Sequence, residues 1–489
     1  MIEKYYSGVI EQIYNRIGKE TRNIVMANYS NDFSIENLEV IRRYQSNEDN
    51  VFFAYSEFSY NTLVGAYEPF LDIICNMHRR FIGGSFDDFQ KECGVYYLHR
   101  QVLNSYYETG ECFREETVLL NEVAYEQRRM TMAIADMLKK LSEVKPLMIV
   151  INRFQMASKS SIETIKYLID NPCANIGIVL GVNAIVKGTD CTVEVWDRIV
   201  ESLEDRSAIY YIGSAGPLKN NVKTTNDDEL YITMNFEQSI QEASNIMEFL
   251  DFEQARRGCR IIEHKLKFED AWIDEKSLRR FYMVYARTSV LLGEMSKAIE
   301  LTNEYKALIP ENDSEHYLSL YYFMKGTCYM YQGKLEKAGN SAKSAYDYAV
   351  LAEDDTLIFK AELLSVMIKM SGWYNIFFCV QDIPVSDEII EKLIKHGYRN
   401  HLAHIYIYAY DNSRDVVKQS FYDESLLKHF TKGLELAKEI GNEQLVYDAY
   451  QKTIMLASTS GLNEIAFLYV IRTYEFMKGH GNIYVARLQ

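Results

Sequence analysis

This sequence predicts a parallel, three-layer α/β domain followed by an all-α solenoid. Three observations predict it. Short apolar runs alternate with helical segments up to about residue 240. From about Ser239 to Gly479 the strand signal almost disappears and helix follows helix, with short Gly or Asn turns between them. Small residues and glycines recur in that second half, Gly293 to Gly333 and Ala298 to Ala338 both forty residues apart, as an irregular repeat. Apolar runs of strand length separated by helices belong to parallel sheets covered on both faces. A chain of 489 residues is also too long for one hydrophobic core. The expected division is an α/β domain over 1–238 and a solenoid over 239–489.

Taken in order, an amphipathic helix is expected over 3–18, then a buried strand in "RNIVMANY" (Arg22–Tyr29). "SIENLEVIRRYQ" reads as a helix with Ser34 as its N-cap. "NVFFAYSEF" (Asn50–Phe58) is a second strand and "AYEPFLDIICNMHRRFI" a helix. A long helix is expected over about 114–143. The strand "LMIVIN" follows, then a polar loop, a helix over about 159–170 and the strand "NIGIVLGVN" (Asn175–Asn183). Gly213–Glu229 is polar and loop-rich, and "LYITMNF" (Leu230–Phe236) ends the strand-bearing half.

Composition narrows the function classes. Hydrophobic residues make up 48% and charged residues 25%, which is ordinary for a globular protein. The 38 Tyr suit half-buried helix faces, and only 6 Pro agree with long uninterrupted helices. The net charge of −16 repels phosphate backbones and anionic lipid, so neither nucleic acid nor membrane is expected as a direct partner. None of the 8 Cys forms a C-x-x-C pair, so they read as reduced, buried residues of a cytoplasmic protein. The charged N-terminus is not a signal peptide, and no run approaches a membrane span.

The second half carries a repeat. In "YYFMKGTCYMYQGKLEKAGNSAKSAYDYA", Gly326, Tyr329, Gly333, Ala338 and Ala345 stand at the spacing of a tetratricopeptide helix pair. Small residues mark a close helix crossing, an aromatic fills the gap, and a glycine turns the chain. The preceding unit repeats the pattern with Gly293, Ala298 and Pro310. Gly461 and Ala466 give a weaker third match.

The first half is similar to a known class through three segments: "VFFAYSEFSYNTLVGAYEPFLDIIC", "PLMIVINRFQMASKSS" and "IGIVLGVN". By these, over roughly residues 5–185, it resembles the STAND signal-transduction NTPases. Those are relatives of the AAA+ ATPases in which a P-loop module precedes a solenoid sensor, as in bacterial regulators. The resemblance implies a nucleotide site, and this chain departs from it there. Where the class has strand, Asp-Asp, apolar, Gln, Trp, Ala, Asp, this chain has Asn152-Arg153, Phe154, Gln155, Met156, Ala157 and Ser158. Gln155 and Ala157 match, but every acidic position has changed. After "RNIVMA" the class has a Gly-rich turn ending in Gly-Lys-Ser or Gly-Lys-Thr. Here "NYSNDFSI" has neither Gly nor Lys, and Asp32 would face a triphosphate with negative charge. "GKET" at Gly18–Thr21 precedes the strand and reads as a helix end. The degenerate nucleotide site would comprise Asn28, Ser30, Asp32, Ser34, Asn152, Arg153 and Asn183. Losing one phosphate- or metal-holding group costs about 10²–10³ in rate, so hydrolysis is not expected. An amide is a poor magnesium partner without carboxylates.

Other motifs read as structural. His401 and His404 share a helix face, with packing and surface hydrogen bonds as the expected role. Glu115 and Glu116 read as a solvated helix start, Arg128 and Arg129 as a charged helix face, and Met130, Met132 and Met137 as core. The expected function is therefore a non-catalytic regulatory scaffold: a pseudo-NTPase module joined to a solenoid that binds protein or peptide. No catalytic residue, cofactor or metal is assigned, and homo-oligomerisation is left open. The alternative is a working ATP-binding switch in which Arg153 replaces the missing lysine.

Overall fold

In the computed structural model the described residues are 2–29, 38–46, 50–59, 63–118, 122–183, 198–203, 209–212, 235–268, 273–312, 314–374, 387–409, 424–459 and 461–479. The chain divides into two compact units. A sheet unit comprises Met1–Val95, His99–Arg114 and Glu126–Ser277, and a helical unit comprises Tyr96–Leu98, Glu115–Tyr125 and Leu278–Gln489. This division falls some forty residues beyond the expected boundary at 238/239, and two short segments of the first half belong to the helical unit.

The sheet unit is built on β1 (Ile24–Tyr29), β2 (Phe52–Glu57), β3 (Leu147–Asn152), β4 (Ile176–Asn183) and β5 (Ile209–Ile212). They pair in the order β2-β3-β4-β1-β5, and every pairing is parallel. All six residues of β3 are buried, which explains its unbroken apolar run. Strands β1, β2, β3 and β4 fall within two residues of their expected bounds. β5, "IYYI", has no counterpart in the sequence reading. The strand expected at Leu230–Phe236 and the loop at Gly213–Glu229 lie almost entirely outside the described residues.

Helix α1 (Ile2–Arg16) packs on β1, β4 and β5. The approach is close: a Cβ on Gly177 of β4 would sit 2.8 Å from Ile17 Cδ1. Gly18 ends this helix at φ +77°, donating its N–H to Ala174 O. The step from β1 to β2, through α2 (Glu39–Ser46), runs opposite to that from β3 to β4. Right-handed crossovers therefore put α2 and the β3–β4 helix on opposite faces. The sheet unit continues with α3 (Phe70–Met77) and α4 (Phe86–Glu92). Helix α5 (Tyr97–Thr109) and α6 (Val123–Val144) follow, then α7 (Lys159–Asp170), α8 (Phe236–Glu248) and α9 (Phe252–Phe268). The helix expected over 114–143 begins only at Val123.

Helices α8 and α9 set the later boundary. Asn245 Oδ1 accepts from Cys112 N at 2.9 Å, Glu248 O from Arg114 Nη2 at 2.7 Å, and Gln254 donates to Val64 O at 2.9 Å. Phe249 packs edge-on against Tyr67 and Tyr106. These two helices belong to the sheet unit's own core.

The helical unit holds α10 (Glu275–Leu291), α11 (Met295–Ala307), α12 (Ser314–Tyr331), α13 (Leu335–Leu351) and α14 (Asp355–Tyr374). Then come α15 (Asp387–Lys395), α16 (Arg399–His404), α17 (Glu424–Ile440), α18 (Glu443–Thr459) and α19 (Asn463–Gly479). One turn recurs: Gly293, Gly333, Gly397, Gly441 and Gly461 each follow a helix with φ between +70° and +78°. The next residue donates back to the helix, Glu294 to Ser289 O at 2.8 Å, Lys334 to Tyr329 O at 2.9 Å and Asn442 to Ala437 O at 2.8 Å. Glycine tolerates this left-handed step, and the bond satisfies a carbonyl the helix leaves open. The architecture is a helical-repeat array.

Candidate functional site

In an open parallel sheet, ligands bind beyond the carboxyl ends of the strands, where neighbouring connections leave in opposite directions. Here that point lies between β1 and β4. Asn28 is fully buried at the end of β1, and Tyr29 is in register with Asn183 of β4. Asn152, also fully buried, ends β3 beside Glu57 of β2. Ser30, Asp32 and Ser34 lie outside the described residues. Of the seven candidates, the sheet thus brings Asn28, Asn152, Arg153 and Asn183 to the carboxyl ends of three adjacent strands.

Arg153 is engaged there. Its backbone sits in the left-handed region at φ +55°, which non-glycine residues seldom adopt. Asn152 Oδ1 accepts the Arg153 N–H at 3.0 Å and so fixes the bend. The guanidinium Nη1 lies 3.1 Å from Glu57 Oε1, and Tyr55 donates its hydroxyl to the other Glu57 oxygen. The only cation among the seven candidates is thus held by a carboxylate of the sheet itself.

The polar loop after β3 turns inward. Ser158 caps α7, accepting from Ser161 N, and its Oγ lies 3.0 Å from that of Ser160 and 2.9 Å from that of Ser161. Ser161 Oγ donates to Glu68 O at 2.7 Å, and Tyr67 N donates to Ser160 Oγ at 2.9 Å. Ser160 N donates to Asp251 Oδ2 at 2.9 Å, while Asp251 Oδ1 accepts from Gln254 N in the first turn of α9. One buried carboxylate therefore serves the N-termini of two helices, where negative charge is favoured. Burial nevertheless pushes the Asp251 carboxyl above its ordinary value, against the Ser160 hydrogen bonds.

In the helical unit the repeat residues lie at turns and crossings. Ala298, Ala338 and Ala345 are fully buried. A Cβ on Gly326 of α12 would meet Leu364 Cδ2 at 3.1 Å and Ser341 Cβ at 3.3 Å. Tyr329 is partly buried against the cluster of Met330, Ala338, Ala342, Leu364 and Ile368. A cavity of about 320 Å³ opens between α13, α14 and α15. Val366 and Ile389 give it an apolar lining and Tyr346 an aromatic rim. Lys392 is taken up by Glu362 at 2.7 Å and Glu388 at 3.1 Å. Lys343 and Lys369 also line it, with no ion-pair partner among the described residues.

A buried ionic network went unread in the sequence. Glu116 and Glu122, within the Glu115–Tyr125 segment of the helical unit, meet α16. Glu116 accepts from Asn400 N at 3.1 Å and His401 N at 2.5 Å, and its Oε1 lies 2.6 Å from His401 Nδ1. Glu122 Oε1 lies 2.8 Å from His404 Nε2, and Glu122 accepts from Asn400 Nδ2 and Asn442 Nδ2. Asn442 Nδ2 also donates to Asn400 Oδ1 at 2.7 Å, as does Tyr96 OH at 2.8 Å. Burial opposes charge on Glu122, but the His404 charge and the amide donors hold it well below the usual carboxylate range. His404 is likewise penalised by burial, yet Glu122 raises it above its ordinary value. These histidines are not surface groups, and Glu116 is not solvated. Among the described residues no group of three or more His, Cys, Asp or Glu could hold a metal. Six free cysteines are described, and no described helix is long and apolar enough to cross a membrane.

No protein-family model matches the chain, and no curated protein matches it. Among solved structures it is similar to a STAND signal-transduction ATPase with a tetratricopeptide-repeat sensor from Pyrococcus horikoshii. That likeness has 13% identity and a TM-score of 0.42, and covers 96% of this chain and 82% of that one. It is also similar to a Rap protein complexed with competence and sporulation factor. There the identity is 12% and the TM-score 0.34, with 84% of this chain and 98% of that one covered.

Proposed function

We propose that this chain is a non-catalytic regulatory scaffold. The sheet unit is a degenerate P-loop module of the STAND kind, and the helical repeats receive a protein or peptide ligand. The observation that carries the reading is the state of Arg153, the one residue offered as a substitute for the missing lysine. It is paired with Glu57 and braced by Asn152, so turning it toward a triphosphate would break a half-buried ion pair and leave Glu57 without the Arg153 charge. Buried amides end β1 and β3 where the resemblance would place phosphate and magnesium ligands. The serines after β3 are occupied by Asp251, Glu68 and Tyr67. The ligand's place is the cavity beside α14, whose apolar lining and two lysines, without an ion-pair partner among the described residues, suit an acidic group attached to an apolar side chain. The chain acts inside the cell as a protein-binding regulator.

Phosphate release from ATP with Mg²⁺ tests the catalytic half of this reading. The wild type and Arg153→Ala are expected to stay at the rate of the buffer alone. Turnover by the wild type that Arg153→Ala abolishes would establish the alternative, an ATPase with an arginine in place of the phosphate-loop lysine.

A further inference from the structure

Helix α19 is apolar on two sides. One side, with Ala466 and Thr473, is buried against α18. The other carries Phe467, Val470, Ile471 and Tyr474, which are 66%, 46%, 40% and 67% exposed. Their spacing of i, i+3, i+4 and i+7 makes one continuous stripe along the helix. Isolated exposed apolar residues are ordinary, but a contiguous stripe marks an interaction surface.

We propose that this stripe is the contact between two copies of this chain, joined by a two-fold axis across α19. Charge selects the occupant and the direction. Glu464 lies just before the stripe and Lys478 just after it; both are exposed, and neither has an ion-pair partner among the described residues. Two antiparallel copies centred between Val470 and Ile471 place Phe467 opposite Tyr474 of the second copy and Val470 opposite its Ile471. The same register brings Glu464 beside Lys478 of the second copy at both ends. A parallel pairing would set Glu464 against Glu464 and Lys478 against Lys478. The surface is therefore self-complementary in the sense an isologous interface requires. Two aromatic pairs, one on each side of the central Val470–Ile471 contacts, supply the kind of anchor that dominates such contacts.

Sedimentation equilibrium of the full chain over a range of micromolar concentrations tests this. The expected species has twice the 57.0 kDa chain mass. Phe467→Glu and Tyr474→Glu alter residues that are about two-thirds exposed, so helix content and unfolding midpoint should hold while dimerisation weakens about thirtyfold or more. Glu464→Lys and Lys478→Glu should each weaken the dimer several-fold, and the double variant should restore it. A wild type that remains monomeric at the highest concentration overturns the proposal. So does a dimer indifferent to Phe467→Glu, and so does a charge-swapped double variant no better than its single parents.

Discussion

Replacing Glu122 by alanine removes the acceptor at the centre of the buried network in the helical unit. Three donors lose a partner: His404 Nε2 at 2.8 Å, Asn442 Nδ2 at 3.2 Å and Asn400 Nδ2 at 3.3 Å. Asn442 Nδ2 keeps its bond to Asn400 Oδ1, so two of the three are left open. Each orphaned buried donor costs about 1–3 kcal/mol, and breaking a buried ion pair by removing one partner costs about 3–5 kcal/mol. Glu122→Ala should therefore lose about 3–5 kcal/mol in urea unfolding, with amide exchange accelerated first over Arg399–His404. The loss should depend on pH with a defined sign. Glu122 is held below its ordinary value of 4.5, so its share is present above that pH and fades as the pH falls through the folded value. His404 is raised above its ordinary value of 6.5, so its share is complete below that pH and fades as the pH rises through the folded value. The gap between wild type and variant should be widest between pH 4.5 and 6.5. A cycle with His404→Ala should show the double variant less destabilised than the sum by at least about 1 kcal/mol. Additive losses, or a Glu122→Ala loss under about 1 kcal/mol, would refute the coupling.

Two other outcomes are expected. Gly326→Val drives a branched side chain toward Leu364 Cδ2, Ser341 Cβ and Ala338 O, all within 3.4 Å of its Cβ, and should cost about 1–3 kcal/mol by urea midpoint. Anisotropy of a fluorescein-labelled hexapeptide of Leu and Glu with a free carboxyl terminus should report binding at the α13–α15 cavity. Lys343→Glu and Lys369→Glu should each weaken it about tenfold, more at low salt than at high, and equal affinity for wild type and both variants would remove the cavity as the ligand site.

What could be read from the sequence follows from how local the cause is. The strand Leu147–Asn152 and the helix Lys159–Asp170 lie almost where the residues put them, because an apolar run and a serine N-cap act over a few residues. Gly293 and Gly333 could be read as turns because a left-handed step favours one residue type. Gly397 and Gly441 make the same turn and went unread, although "KHGYR" and "EIGNE" resemble "LLGEM" in having Gly between helical runs. "REETVLLNE" has the composition of a helix, yet Glu116 and Glu122 bind groups 278 to 320 residues away in sequence. Distant partners override local propensity there, and one sequence does not display them. The described part of β5 is "IYYI", paired with β1 among the described strands, and little in those four residues marks them as a strand. The amides and Arg153 were legible as candidates, but the Glu57 carboxylate that holds Arg153 comes from the neighbouring strand β2.

Isothermal titration of the full chain with ATP and ADP, with and without Mg²⁺, tests the central claim most directly. Arg153 is paired within the sheet and Asn152 carries no charge, so the account predicts no heat at millimolar nucleotide under either condition. Stoichiometric, Mg²⁺-dependent binding in the micromolar range would contradict it and make the sheet unit a nucleotide switch.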